Sequence, residues 1–113
     1  MEYTPDSWVV LRIVSIKDDN AIFYRLLSGW IGGYAQSDAW RLNSGITKME
    51  DDGTHWLVYG QSGSVYLCGK NSYRWSTLTF SKYTEWQKTH GEENIQMMPE
   101  DTDWLSVNWG LKV

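Results

Sequence analysis

A single cysteine, two prolines, two histidines and no long apolar run set the first limits on this 113-residue chain. The lone Cys68 excludes an internal disulfide framework and fits a reducing compartment, where a free thiol is expected as a small core residue. Cys68, His55 and His90 are too few to hold a structural zinc ion, so no metal is expected. No stretch approaches the roughly 18 apolar residues of a membrane span, and Met1 to Asp6 lacks the basic start and apolar run of a secretory signal. The expectation is therefore a cytoplasmic protein with no membrane partner. An excess of positive charge is missing too. The formal net charge is -4, which removes the electrostatic footprint of a duplex-DNA binder.

What the chain has in abundance is aromatic rings: eight Trp, seven Tyr and two Phe. Each can bury about 150–250 Å², so a chain with room for one domain, residues 1–113, has core material to spare and rings left over for a surface.

Trp8 to Ile16 is almost continuously apolar and β-branched, as in a strand covered on both faces. Lys17 to Asn20 breaks it, and Ala21 to Leu27 is β-prone again, which predicts an antiparallel hairpin. Trp40-Arg41-Leu42 is a short strand closed by Asn43-Ser44-Gly45. Ile46 to Glu50 and His55 to Tyr59 flank an Asp52-Gly53 turn, and Ser64 to Cys68 follows the turn at Gly60 to Gly63. From Tyr73 the texture changes. Phe80, Tyr83 and Trp86 recur every third residue ahead of Lys88, His90 and Gly91, which predicts one helix over about Ser81 to His90. Ile95 to Met97 and Leu105 to Val107 alternate weakly, as one or two further strands. The predicted fold is mainly β (α+β), an antiparallel meander or small barrel-like sheet with one short helix in the C-terminal half.

Catalytic patterns fail on inspection. Gly29 to Tyr34 lacks the Gly-Lys-Ser/Thr ending of a phosphate loop, and in Gly60-Gln61-Ser62-Gly63 the second glycine arrives one position early for a nucleophile elbow. The acidic pairs Asp18-Asp19, Asp51-Asp52 and Glu92-Glu93 all sit in turns or loops, where turn chemistry explains them. No catalytic residue and no cofactor are expected. The surviving signal is turns that combine glycine, small hydroxyls, rings and cations. Trp30, Tyr34 and Trp40 can stack on a planar group, and Arg41, Lys70 and Arg74 can meet an anion. Amides near Gly32-Gly33 and Ser62 to Ser64 can donate hydrogen bonds, with Asn43 and Tyr66 beside them. Against this stands the ordinary role of such residues, rings capping a small core and glycines making turns. Of the adjacent pair Trp40 and Arg41, Trp40 is expected in the core and Arg41 at the ligand.

Thr4-Pro5-Asp6-Ser7-Trp8-Val9, Gly29-Trp30-Ile31-Gly32-Gly33-Tyr34, Asp38 to Ile46 and Tyr59 to Tyr66 together resemble small uncharacterised proteins encoded by bacteriophages, over most of the first 75 residues. The resemblance implies an accessory protein in the cytoplasm of an infected bacterium, acting by binding. The leading expectation is a non-enzymatic module, able to form a homo-oligomer, that counters host defence by sequestering a small anionic, nucleotide-type ligand. A protein-protein inhibitor of a host enzyme or defence effector is the alternative, since exposed Trp, Tyr and Arg anchor interfaces. A structural virion component is a third.

Overall fold

The computed structural model describes residues 1–32 and 38–109. Its strands are β1 (Glu2–Tyr3), β2 (Ser7–Ser15), β3 (Ala21–Trp30), β4 (Ala39–Leu42), β5 (Ile46–Asp51), β6 (His55–Gly60), β7 (Val65–Gly69) and β8 (Ile95–Met97), with the helix α1 (Thr77–His90) between β7 and β8. They form two four-stranded sheets, ordered β1-β7-β6-β5 and β4-β3-β2-β8. The chain is thus mainly β with one helix, as the turn signals predict, but the sheets do not close into a barrel. All neighbours are antiparallel except β1, which runs parallel to β7.

The two sheets face each other, and α1 packs on the far side of the second, against β3, β4 and β8. This layering explains the unbroken apolar run of β2. Trp8, Val9, Val10 and Leu11 are buried on both faces because one face meets the other sheet and the other meets the helix layer. From Arg12 to Ser15 the strand is only half-buried, because the hairpin it makes with β3 projects past the opposing sheet. Trp8 is the main tie between the layers. Its indole Nε1 donates to the Gly69 carbonyl at 2.8 Å, and its ring meets Tyr73 edge-on at 4.7 Å and Trp104 at 5.8 Å. Cys68 is fully enclosed, and burial pushes its thiol well above the usual range, which leaves it an unreactive core residue.

Three sequence expectations are corrected. The helix begins at Thr77, a turn earlier than Ser81, because Ser76 and Thr79 form a reciprocal capping box. Leu105 to Val107 is not a strand: the tail turns there, placing Trp104 and Trp109 in the core with ring centroids 6.3 Å apart. Trp40 stays outside the core at 37% exposure.

Candidate functional site

Strand alternation puts Trp40 and Arg41 on opposite faces of β4. Trp40 lies on the helix side, 5.5 Å from Trp86, with the Lys82 ammonium 5.2 Å above its ring. Trp40→Ala is therefore expected to cost about 2 kcal/mol, less than the roughly 3–5 kcal/mol of an enclosed tryptophan. Chemical denaturation followed by circular dichroism measures it.

Arg41 faces the other sheet. Its guanidinium sits 4.7 Å over the Tyr3 ring, and Tyr3 stacks on Tyr66 at 4.9 Å and meets Trp30 edge-on at 6.2 Å. Burial raises the Tyr66 hydroxyl above its ordinary range, and the neighbouring Arg41 partly offsets that. Trp30, Arg41 and Tyr66, distant in sequence, are thus gathered around a ring the motif reading missed. The cluster is engaged with itself: Trp30 Nε1 donates to the Thr4 carbonyl at 3.1 Å, closing the strand end.

The remaining sequence candidates are spread out. The Gly32 amide donates to Asp38 Oδ1 at 2.9 Å, while Gly33 and Tyr34 lie outside the described residues. Asn43 is buried, and its Oδ1 accepts from the amides of Leu26 and Gly45, so it closes a turn. The Ser62 amide donates to Ser44 Oγ, and the Ser64 carbonyl accepts from the Gly60 amide. Lys70 pairs with Asp51 at 2.6 Å and lies 5.0 Å from the centre of the Trp56 ring. Arg74 donates to the carbonyls of Asn71 and Asp6. Of these, Gly32, Asn43, Ser62, Ser64, Lys70 and Arg74 line neither of the two large clefts.

Those clefts flank the projecting β2–β3 hairpin and share Ile13, Ser15 and Arg25. The first, about 980 Å³, runs along β3 from Ala21 to Arg25 and is bounded by Ser44 to Thr47, Gln61 and Trp109. The second, about 630 Å³, lies between the hairpin and the end of α1. Ile13, Leu42 and Ile95 supply apolar surface, Trp86 a ring, and Lys17, Arg25 and His90 the basic groups. No carboxylate lines it among the described residues. Both volumes fall within the range of ligand pockets.

Arg25 distinguishes this region. It is half-buried, and among the described residues no carboxylate pairs with it. Desolvation without a compensating charge holds its guanidinium below the ordinary value. Partial desolvation disfavours a cation that has no partner among the described residues, and an arriving anion offsets that penalty. The C-terminal end of α1 opposes an anion with about half a unit of negative charge. Asn94 Nδ2, donating to the His90 carbonyl at 2.8 Å, satisfies one of the carbonyls responsible. Two full cations, Lys17 and Arg25, outweigh what is left.

No protein-family profile matches the chain, and neither a curated protein nor a solved structure matches it. Among the described residues no three His, Cys, Asp or Glu side chains gather as a metal site needs, and no helix is long and apolar enough to cross a membrane.

Proposed function

We propose that the protein is a non-enzymatic capture protein that holds an anionic ligand with a flat or apolar body in the cleft between the β2–β3 hairpin and α1. The observation that carries this reading is Arg25, a half-buried guanidinium without a counter-ion among the described residues, placed with Lys17 and Trp86 around about 630 Å³ of space. A guanidinium gives an anion paired, charge-assisted hydrogen bonds, and the indole offers an apolar surface for a planar group. A nucleotide-type molecule is the concrete case. The resemblance to phage-encoded accessory proteins supports a setting for it, removal of a nucleotide signal of host defence in an infected bacterium. Inhibition of a host protein is the second reading, favoured by the exposed Ile16 beside this cleft and the exposed Phe23 beside the neighbouring one, 67% and 40% exposed.

Thermal shift against linear and cyclic nucleotides tests the first reading. A ligand at about 100-fold its dissociation constant adds about 2.7 kcal/mol of stability, and Arg25→Ala is expected to abolish most of that gain while leaving the unliganded protein folded. If no nucleotide stabilises the parent chain, or Arg25→Ala responds as the parent does, the reading is wrong.

A further inference from the structure

Every sheet edge presents unpaired backbone groups to other chains, and proteins blunt such edges with charges, bulges or brevity. Three edges here are so treated. β5 carries an irregularity between Ile46 and Lys48 and exposes Lys48 and Glu50, β1 has two residues, and β8 has three. The edge of β3 below β4 is different. β4 pairs only with Leu27 to Trp30, so among the described residues Ala21 to Leu26 has β2 on one side and no strand on the other. Arg25 is the single charge among Ala21, Ile22, Phe23, Tyr24 and Arg25, and the stretch holds no proline.

The direction of its free groups follows from Leu26. That residue turns its amide to Asn43 Oδ1 at 2.8 Å and its carbonyl to the Asn43 amide at 2.9 Å, both away from β2. In an antiparallel pair this orientation repeats at every second residue, so the N–H and C=O of Tyr24 and Ile22 point outward as well. The cleft of about 980 Å³ lies there: five consecutive residues of β3 line it although their side chains alternate between faces. It therefore runs along the backbone edge.

We infer that this edge accepts an extended segment of a partner protein as an added strand, with apolar side chains beside Ile22, Phe23 and Tyr24 and a carboxylate opposite Arg25. Backbone bonds to Ile22 and Tyr24 hold the segment, and the side chains select it. Charge decides its character, because no carboxylate lines the cleft among the described residues and Arg25 faces it without a counter-ion. A second copy fits poorly. In antiparallel pairing centred on Phe23 its hairpin tip runs into Asn43, which already occupies the lane beside Leu26.

The test uses the full chain and two synthetic peptides, acetyl-Val-Thr-Val-Glu-Val-amide and its Lys-for-Glu counterpart, with amide hydrogen exchange read by NMR. The Glu peptide is expected to slow exchange at Ile22 and Tyr24 at least tenfold, and the Lys peptide to leave both unchanged. Ile22→Pro removes one outward donor without touching a β2–β3 bond, so it is expected to stay folded and to lose the peptide. That substitution leaves the residues of the hairpin–helix cleft in place, so nucleotide binding there stands or falls separately. Unchanged exchange with both peptides overturns the inference, as does equal protection by both, or full peptide binding by Ile22→Pro. Protection of the same two amides that grows with protein concentration alone assigns the edge to a second copy and overturns it too.

Discussion

Trp8→Ala is expected to cost about 3–5 kcal/mol, the range for removing a large aromatic side chain from a core. Trp8 is 1% exposed, and it bonds and packs to the segments around β7 that face its own sheet. Its ring stands against Tyr73 and Trp104, and its own backbone bridges to the segment after β7, accepting from the Arg74 amide and donating to the Ser72 carbonyl, each at 3.1 Å. Alanine leaves a cavity between two rings that are themselves anchored: the Tyr73 hydroxyl accepts from the Val10 amide and donates to the Met98 carbonyl. The surroundings cannot collapse into the space without breaking those bonds, which places the cost toward the upper end. Trp8→Phe separates packing from hydrogen bonding. It keeps a ring but leaves the Gly69 carbonyl without its 2.8 Å donor, for an expected cost of about 1–3 kcal/mol. Urea denaturation followed by circular dichroism measures both. A loss below about 1 kcal/mol for Trp8→Ala would show that the sheets are joined mainly elsewhere.

The strands were legible where the chain punctuates itself. Asp51 and Asp52 each accept amides two residues on, from Gly53 and Thr54, and Gly53 takes a φ of +96°, so the turn that the Asp-Gly step predicts is made by local chemistry. The hairpin of β2 and β3 was legible for the same reason, an apolar run broken by Lys17 to Asn20. The start of α1 was not, because its box uses Thr79 where the familiar pattern has Glu or Gln. Trp40 misled because burial preference averages over positions, and β4 is a four-residue strand at the margin of the sheet. The clefts around Arg25 were the least legible feature. Nothing local marks an arginine in a β-prone run. Its importance arises only when α1, some 60 residues later, lays Trp86 and His90 beside it, and no spacing rule reaches that far. Trp30, Arg41 and Tyr66 were singled out as neighbours of glycine turns, and the ring that joins them, Tyr3, sits in a two-residue strand whose parallel pairing with β7 carries no sequence signal.

Gly29→Ala is expected to cost about 2–4 kcal/mol, combining overpacking with a damaged helix cap. Gly29 lies on the face of β3 that receives the start of α1. An added Cβ falls 2.8 Å from Ser7 Oγ, 2.8 Å from Ser76 Oγ and 3.1 Å from Thr79 Cγ2, closer than carbon and oxygen tolerate without displacement. Ser76 Oγ accepts from the Thr79 amide at 3.1 Å, so moving it opens the capping box and exposes helix amides that have no other partner. Ser7 offers the other way out. Its hydroxyl is fully buried and has no hydrogen-bond partner among the described residues, so Ser7→Ala alone is expected to be neutral or slightly stabilising. With that oxygen gone, the alanine at position 29 can lean away from Ser76, and the double variant is expected to recover about 1 kcal/mol relative to the sum of the single changes. Denaturation midpoints of the three variants give the coupling, and the far-ultraviolet helix signal reports whether the cap survives. Strict additivity would mean that Ser76 alone blocks the site, and a Gly29→Ala protein as stable as the parent would mean that sheet and helix do not approach as closely as the 2.8 Å contacts require.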